Sequence, residues 1–192
     1  MTIVDEMTWD RIALDHVYGM YQNAVIDKFK TSERALSHIG AVLESVSVNY
    51  MIHFTNSGQD TFCPELEYEG RLVWDEIGES CICLLGYMSM IPKPSSISSL
   101  LVSKQRDYGT KNISKFGTIG ILIRLNDKIE RLINLLNRAN YNLDNIVTSV
   151  SDESIYDTIT DIIGYCVIAK MWLNKYPDSN GNLVRQFFTP LP

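Results

Sequence analysis

Two helical segments in the C-terminal half of the chain each carry a narrow polar stripe on an otherwise apolar body, and this pattern constrains the fold more than any other feature. The first stripe holds side chains at positions i, i+3, i+4, i+7 and i+10: Arg124, Asp127, Lys128, Arg131 and Asn134. The second holds three carboxylates, each about one helical turn from the next: Glu153, Asp157 and Asp161. Residues at this spacing share one face of a helix. If the two stripes face each other, basic groups surround a carboxylate cluster inside a helical bundle.

The helical period extends over most of the chain. Apolar residues recur every three or four positions, and no segment alternates strongly with period two. The sequence therefore predicts an all-α bundle of about six helices. In chain order these are a helix up to Phe29, a second capped by Thr31 or Ser32, a third from Pro64 to about Met90, a fourth from about Ser96 to Gly109, a fifth from about Thr118 to Ala139, and a sixth capped by Ser151 or Asp152 that reaches about Lys175.

Two prolines divide the chain. Pro92 and Pro94 cannot both lie inside a helix, so a break is expected there. This predicts an N-terminal helical half at 1–94, a helical core with both polar stripes at 95–176, and a tail at 177–192.

The two helical parts share one short pattern. Trp74–Glu79 resembles Tyr156–Asp161, since both read aromatic-Asp-x-Ile-x-acid. A degenerate duplication would explain the similarity, and so would chance recurrence of a helical pattern. In a duplication, Glu69, Glu76 or Glu79 could complete a metal site from the N-terminal half.

Charge and composition argue against several classes of protein. A net charge of −6 and a pI near 5.0 disfavour general nucleic-acid binding, which relies on a basic face. The longest apolar run, Cys81 to Ile91, is shorter than the roughly 20 residues that span a bilayer. No secretory signal is recognisable, so a cytoplasmic location without a membrane partner is expected. P-loop and Rossmann glycine motifs are absent from the sequence.

The carboxylate spacing favours a divalent cation. Carboxylates four residues apart can reach a common ion, and Mg²⁺ is often bound by a few carboxylates together with substrate phosphates. Clustered carboxylates without a cation would repel one another. A structural interpretation stays open beside this one: Arg124, Lys128 and Arg131 next to Asp127 can form a surface salt-bridge ladder, and the spaced carboxylates a solvated face.

Three ordered blocks give this region a family resemblance. They read K-x-x-D-Y-G at Lys104–Gly109, R-x-x-D-K-I-x-R-x-x-N-L at Arg124–Leu135, and E-S-x-x-D-T-x-x-D-x-x-x-Y at Glu153–Tyr165. Together they resemble the nucleotide modification associated domain type 1, a family found largely in bacteriophages and bacteria. That family is similar in turn to the all-α nucleoside triphosphate pyrophosphohydrolases of the MazG-like and dimeric dUTPase-like type.

The resemblance implies a bundle that cleaves a nucleoside triphosphate between the α and β phosphates, with Mg²⁺ or Mn²⁺ as cofactor. The implied catalytic carboxylates are Glu153, Asp157 and Asp127. The implied metal ligands are Asp127, Glu130, Glu153, Asp157 and Asp161. The implied substrate-binding residues are Lys104, Asp107, Tyr108, Arg124, Lys128, Arg131 and Asn134. Such enzymes commonly build the site at a subunit interface, so a homo-oligomer (dimer or tetramer) is expected.

Three functional hypotheses result. The leading one is a Mg²⁺-dependent pyrophosphohydrolase acting on a deoxy or modified nucleoside triphosphate, in phage nucleotide metabolism or counter-defence, and in the host cytoplasm if phage-encoded. The second is a non-catalytic module of the same fold that binds a nucleotide or nucleotide-derived signal. It is motivated by the spacing Glu153-x-x-x-Asp157, where the wider enzyme pattern has E-x-x-D. The third is a structural helical adaptor with solvated stripes.

Overall fold

The computed structural model describes residues 3–57, 66–108, 111–142 and 154–172. Most of these residues form six α-helices, and the remainder includes one 3₁₀ turn (η1) and a short two-stranded ribbon. In chain order the elements are α1 Ile3–Asn23, η1 Ile26–Lys28, α2 Ser32–Ser57, β1 Glu67–Tyr68, β2 Arg71–Leu72, α3 Val73–Tyr87, α4 Pro94–Tyr108, α5 Lys111–Arg138 and α6 Ile155–Trp172. The predicted all-α bundle is confirmed.

Helices α3 and α6 form the centre of this bundle and pack directly against each other. Between Val73 and Leu85 only Asp75 is partly exposed. Helix α6 is similarly apolar, and its partly exposed side chains are confined to Tyr156, Asp157, Asp161 and Tyr165 among those described. A helix that is apolar on nearly every side is a buried helix. The core around the two helices is one hydrophobic cluster that includes residues from both halves of the chain.

An ion pair shows the relative direction of the two central helices. The Lys170 ammonium, in the last turn of α6, donates to Oδ1 of Asp75 in the first turn of α3 at 2.5 Å. The two helices therefore run antiparallel. The Lys170 and Asp75 side chains are only 10% and 23% exposed, so the pair is largely shielded from water.

The packing is similar in the two halves of the chain. Helix α2 packs on α3 as α5 packs on α6, while α1 packs on α4. Each half also contains a glycine at a close helix contact: a Cβ at Gly78 would lie 2.5 Å from Sδ of Met20, and a Cβ at Gly164 would lie 2.6 Å from Cδ2 of Leu101. A degenerate duplication predicts this arrangement, although the two glycines do not occupy matching positions in the sequence similarity.

The predicted start of the third helix is wrong. Residues 67–72 instead form an antiparallel ribbon in which Tyr68 lies opposite Arg71. The two turn residues, Glu69 and Gly70, have φ values of 51° and 77°. Positive φ at both central residues suits the right-handed twist of two short strands. Pro64 indicated a helix N-terminus, but the chain between Tyr68 and Arg71 turns at the Glu-Gly pair.

Other boundaries agree more closely with the sequence. Thr31 caps α2, because its hydroxyl oxygen accepts a hydrogen bond from the backbone N–H of Arg34 at 3.2 Å. Pro94 occupies the first position of α4, where its missing N–H is not needed. Helix α5 is kinked at Gly117, whose φ is 51° and ψ −137°. The longer part starts at Thr118 as predicted, whereas the helical residues 111–116 before the kink were not predicted. The predicted tail at 177–192 lies outside the described residues. None of the described helices is long and apolar enough to cross a membrane.

Replacing Asp75 with Asn is expected to destabilise the protein more than replacing Lys170 with Met. The first change leaves a largely buried ammonium opposite a neutral amide, whereas the second leaves a carboxylate that is closer to water and retains the apolar stem. We expect losses in the free energy of unfolding of about 2–3 kcal/mol and about 1 kcal/mol respectively, measured by urea unfolding. Equal losses would contradict this account of the pair.

Candidate functional site

The polar edge of α6 begins at its N-terminal cap. The hydroxyl oxygen of Ser154 accepts a hydrogen bond from the backbone N–H of Asp157 at 3.1 Å. In return, Oδ2 of Asp157 accepts hydrogen bonds from the backbone N–H of Ser154 at 2.9 Å and from its hydroxyl at 2.6 Å. This reciprocal arrangement is a capping box. Ser154 therefore caps α6, whereas the predicted caps at Ser151 and Asp152 lie outside the described residues.

The cap keeps Asp157 ionised. The hydrogen bond from the Ser154 hydroxyl lowers the pKa of Asp157, and partial burial opposes this effect. The backbone N–H of Ser154 and the positive charges of Lys104 and Arg131 lower the pKa further. A carboxylate predicted to be catalytic thus also stabilises the start of α6, and it lies within electrostatic reach of two predicted substrate-binding cations.

One turn further along α6, Asp161 connects three helices. The ammonium of Lys104 on α4 donates to Oδ1 of Asp161, and the ammonium of Lys128 on α5 lies 3.0 Å from Oδ2. Asp161 is only 12% exposed and Lys128 only 23%. Part of the basic stripe on α5 therefore faces the acidic stripe on α6. We call Lys104, Lys128, Arg131, Asp157 and Asp161 the α6 edge.

The other predicted site residues are either exposed or not fully described. Five are exposed on α4 and α5: Asp107, Arg124, Asp127, Glu130 and Asn134. Glu153 lies outside the described residues, and only the backbone of Tyr108, at the end of α4, is described. Within the described ranges, no three His, Cys, Asp or Glu side chains are grouped so that they could hold a metal ion.

The α6 edge by itself is short of ligands for Mg²⁺. Asp157 and Asp161 supply two carboxylates, whereas Mg²⁺ takes near-octahedral oxygen coordination. Both carboxylates also have protein partners, since Asp157 accepts hydrogen bonds from Ser154 and Asp161 contacts two lysines. An ion at this edge would need further oxygen ligands, such as Glu153, water or phosphate oxygens.

A second charged cluster lies at the start of α3. The carboxylate of Glu76 is only 4% exposed. It accepts hydrogen bonds from Lys28, from Nε2 of His38 at 2.7 Å and from Nη1 of Arg71 at 2.6 Å. These donors lie in η1, α2 and β2, so one buried carboxylate joins four elements. Arg71 also donates through Nη2 to Oε2 of Glu79 at 2.5 Å. We call these five residues the Glu76 cluster.

The two glutamates of this cluster have opposite pKa shifts. Burial would raise the pKa of Glu76, but hydrogen bonds from Lys28 and His38 and the charges of Lys28 and Arg71 leave it lowered. Burial raises the pKa of Glu79, and the contact with Arg71 offsets this only in part. Oε1 of Glu79 is buried without a hydrogen-bond partner among the described residues. Glu76 is therefore the carboxylate that holds its charge more firmly.

A cavity of about 210 Å³ opens beside the Glu76 cluster. Its walls include three rings, those of Phe29, His38 and Tyr68. The ring centroids of Phe29 and His38 are 4.9 Å apart, and Tyr68 meets His38 edge-on at 5.7 Å. Its charged lining residues are Lys28, Glu69, Arg71 and Glu76. The sequence indicated Glu69 and Glu76 as possible site residues only through the internal similarity. It did not indicate the other lining residues, because they come from separate segments without a shared motif.

Comparison with family models, curated proteins and solved structures gives no significant match for this chain. The family resemblance therefore depends on the three motif blocks alone.

Glu76 and Glu79 are expected to affect the pH dependence of stability in opposite directions. Because the pKa of Glu76 is lowered in the folded state, its stabilising contribution is present above the ordinary value of 4.5 and is lost as the pH falls below it. Because the pKa of Glu79 is raised, its contribution declines as the pH rises above 4.5. We would measure the free energy of unfolding in urea for wild type, Glu76→Gln and Glu79→Gln from about pH 3 to pH 7. The difference between wild type and Glu76→Gln should grow with pH, whereas the difference between wild type and Glu79→Gln should decline.

At neutral pH, Glu76→Gln should cost about 3 kcal/mol in the free energy of unfolding, because charged donors would then face a neutral amide. Glu69→Gln is the matched control, since Glu69 is exposed in the ribbon turn, and it should change stability by less than about 0.5 kcal/mol. Parallel pH profiles for the two buried variants would be incompatible with the opposite pKa shifts.

Proposed function

We propose that this protein is a Mg²⁺-dependent nucleotide pyrophosphohydrolase, which converts a deoxy or modified nucleoside triphosphate to the monophosphate and pyrophosphate. The observation that supports this proposal is the convergence of Lys104 and Lys128, from two helices, on Asp161 of a third. Arg131 and Asp157 lie at the same edge. These five residues belong to all three motif blocks of the family resemblance.

An exchange of ionic partners would accommodate the substrate at the α6 edge. A triphosphate competes with Asp161 for the two lysine ammonium groups, whose flexible stems allow them to change partner. Asp161, once released in this way, would repel the nearby carboxylate of Asp157, and this pair gains an attraction for a divalent cation. Each lysine contact with phosphate therefore favours cation binding at the carboxylates, so substrate and ion would bind together.

Each residue of the edge then has a distinct role in the proposal. Bound Mg²⁺ would neutralise charge on the phosphate oxygens. Lys104 and Lys128 would bind phosphate oxygens, and Arg131 would hold the departing pyrophosphate through its planar fork of donors. Asp161 and Asp157, together with Glu153, would face the cation and orient the attacking water. Asp127 and Glu130 are exposed on α5, where they could complete the site in the expected homo-oligomer.

Binding without hydrolysis is the second candidate function, and the hydrogen bonding of the carboxylates favours it. Asp157 caps α6 and Asp161 contacts two lysines, so both described carboxylates of the edge already have protein partners. A module of this kind would hold a nucleotide or nucleotide-derived signal on the same cations and release it unchanged.

Product analysis tests the proposed reaction. The protein is incubated with a panel of deoxynucleoside and modified nucleoside triphosphates and Mg²⁺, and the products are separated by ion-exchange chromatography. Wild type is expected to release monophosphate and pyrophosphate. Lys128→Met and Asp161→Asn should each lower kcat/KM by about 100-fold or more, because each removes a charge that would oppose charge on the phosphates or on the cation. Chelation of the metal should stop turnover.

Four further variants separate chemistry from folding. Thr31→Ala removes the capping hydroxyl of α2 and leaves every residue of the α6 edge in place, so it should lower Tm while kcat stays within about twofold. Asp157→Asn should lower kcat far more, as should Glu153→Gln. Glu44→Gln, at an exposed position of α2, should change neither quantity.

If the protein binds nucleotide but the nucleotide is recovered intact, the enzyme hypothesis is wrong and the binding module is the better account. If Mg²⁺ and nucleotide leave the melting curve unchanged, both functions are wrong, because a ligand that binds only the native state must stabilise it.

A further inference from the structure

We propose that the cavity beside the Glu76 cluster is a second small-molecule site, and that it binds a planar ring bearing an oxyanion. Its lining residues lie in or next to η1, α2, the ribbon and α3, whereas the α6 edge is built from α4, α5 and α6. The inference therefore does not depend on the proposed reaction.

The more exposed charged side chains of the Glu76 cluster are cationic. The side chains of Glu76 and Glu79 are 4% and 6% exposed, whereas those of Lys28 and Arg71 are 39% and 43% exposed. The carboxylates are thus covered by the cations that neutralise them. The hydrogen bonds to Glu76 and Glu79 use one N–H donor of Lys28 and two of Arg71. A lysine ammonium has three donors in total and an arginine guanidinium has five. The remaining N–H groups can bind an oxyanion.

Aromatic side chains next to these cations suit a flat ring. Tyr68 lies directly opposite Arg71 in the ribbon, and directly opposed side chains of an antiparallel pair lie on one face. Phe29 and His38 contribute the other aromatic walls. Aromatic faces and edges bind planar rings by offset stacking and edge-to-face contact. A volume of about 210 Å³ is below the roughly 300–1,000 Å³ of pockets for drug-sized ligands, so a small molecule is expected.

One acidic residue at the cavity would repel this ligand, so the proposal predicts substitutions that change the affinity in opposite directions. Glu69 lines the cavity and is exposed in the ribbon turn. Asp75, which is also close enough to affect the pKa of Arg71, contacts Lys170 instead. Removal of the Glu69 charge should therefore strengthen anion binding, and loss of the Arg71 fork should weaken it.

Isothermal titration calorimetry with four probes tests the ligand class. Adenosine 5′-monophosphate and benzoate each combine a ring with an oxyanion, while adenosine and inorganic phosphate each supply one part. At least one combined probe is expected to bind about tenfold more tightly than either single part. The preference between the two combined probes distinguishes a nucleotide from an aromatic acid. Titrations are repeated in Lys128→Met, where binding should persist; loss of binding in that variant would place the ligand at the α6 edge and overturn the proposal.

Matched variants test the residues of the cavity. Arg71→Lys retains a charge opposite the two glutamates but removes the fork, and it should weaken binding about tenfold. Tyr68→Leu should weaken the ring-bearing probes and leave inorganic phosphate unaffected. Glu69→Gln should strengthen the anionic probes about twofold.

If Arg71→Lys fails to fold in a thermal melt, Tyr68→Leu and Glu69→Gln still decide the question, because they leave the buried ion pairs intact. Absence of saturable binding, or binding that neither of these two variants alters, overturns the second site.

Discussion

The contact between the antiparallel helices α3 and α6 is the constraint on which the rest of the structure depends. Both helices are apolar on almost every side, so the bundle closes around them and buries most of their side chains. A charge beside such a core is costly unless it is paired. The charged residues of the two helices accordingly meet partners from other elements: Lys170 contacts Asp75, Arg71 bridges Glu76 and Glu79, and two lysines converge on Asp161.

This constraint produces two charged clusters with different character. The carboxylate of Glu76 is enclosed by three donors from different elements, so its main role is to join those elements. At the α6 edge, the carboxylate side chain of Asp161 is less tightly enclosed, because it is 12% exposed, compared with 4% for Glu76. Polar groups that water can reach exchange partners more readily than groups that are sealed in the interior. The α6 edge is therefore the better place for a ligand that replaces one ionic partner by another, whereas a ligand at the Glu76 cluster would bind beside an intact set of ion pairs.

The capping box of α6 illustrates how one side chain can serve both fold and site. Asp157 accepts a hydrogen bond from the backbone N–H of Ser154. The Ser154 hydrogen bonds and the nearby charges of Lys104 and Arg131 lower the pKa of the same carboxylate. A carboxylate at a helix N-terminus is also stabilised by the helix dipole. The position therefore provides a pre-ionised acid with a defined orientation, which is useful to a cation site and equally useful to the helix alone.

The sequence by itself determined the helical class, the break before Pro94, a cap of α2 at Thr31 or Ser32, and the alignment of Asp157 and Asp161, because these features depend on local periodicity and local hydrogen bonding. Where short-range signals conflicted, the sequence did not decide the structure: Pro64 indicated a helix start, yet the turn at Glu69 and Gly70 formed a ribbon. Only the tertiary structure decided which charges meet. The approach of Lys104 and Lys128 to Asp161, and of Lys28, His38 and Arg71 to Glu76, follows from how helices pack around a shared core. Side chains that are brought together from distant segments leave no common spacing in the sequence.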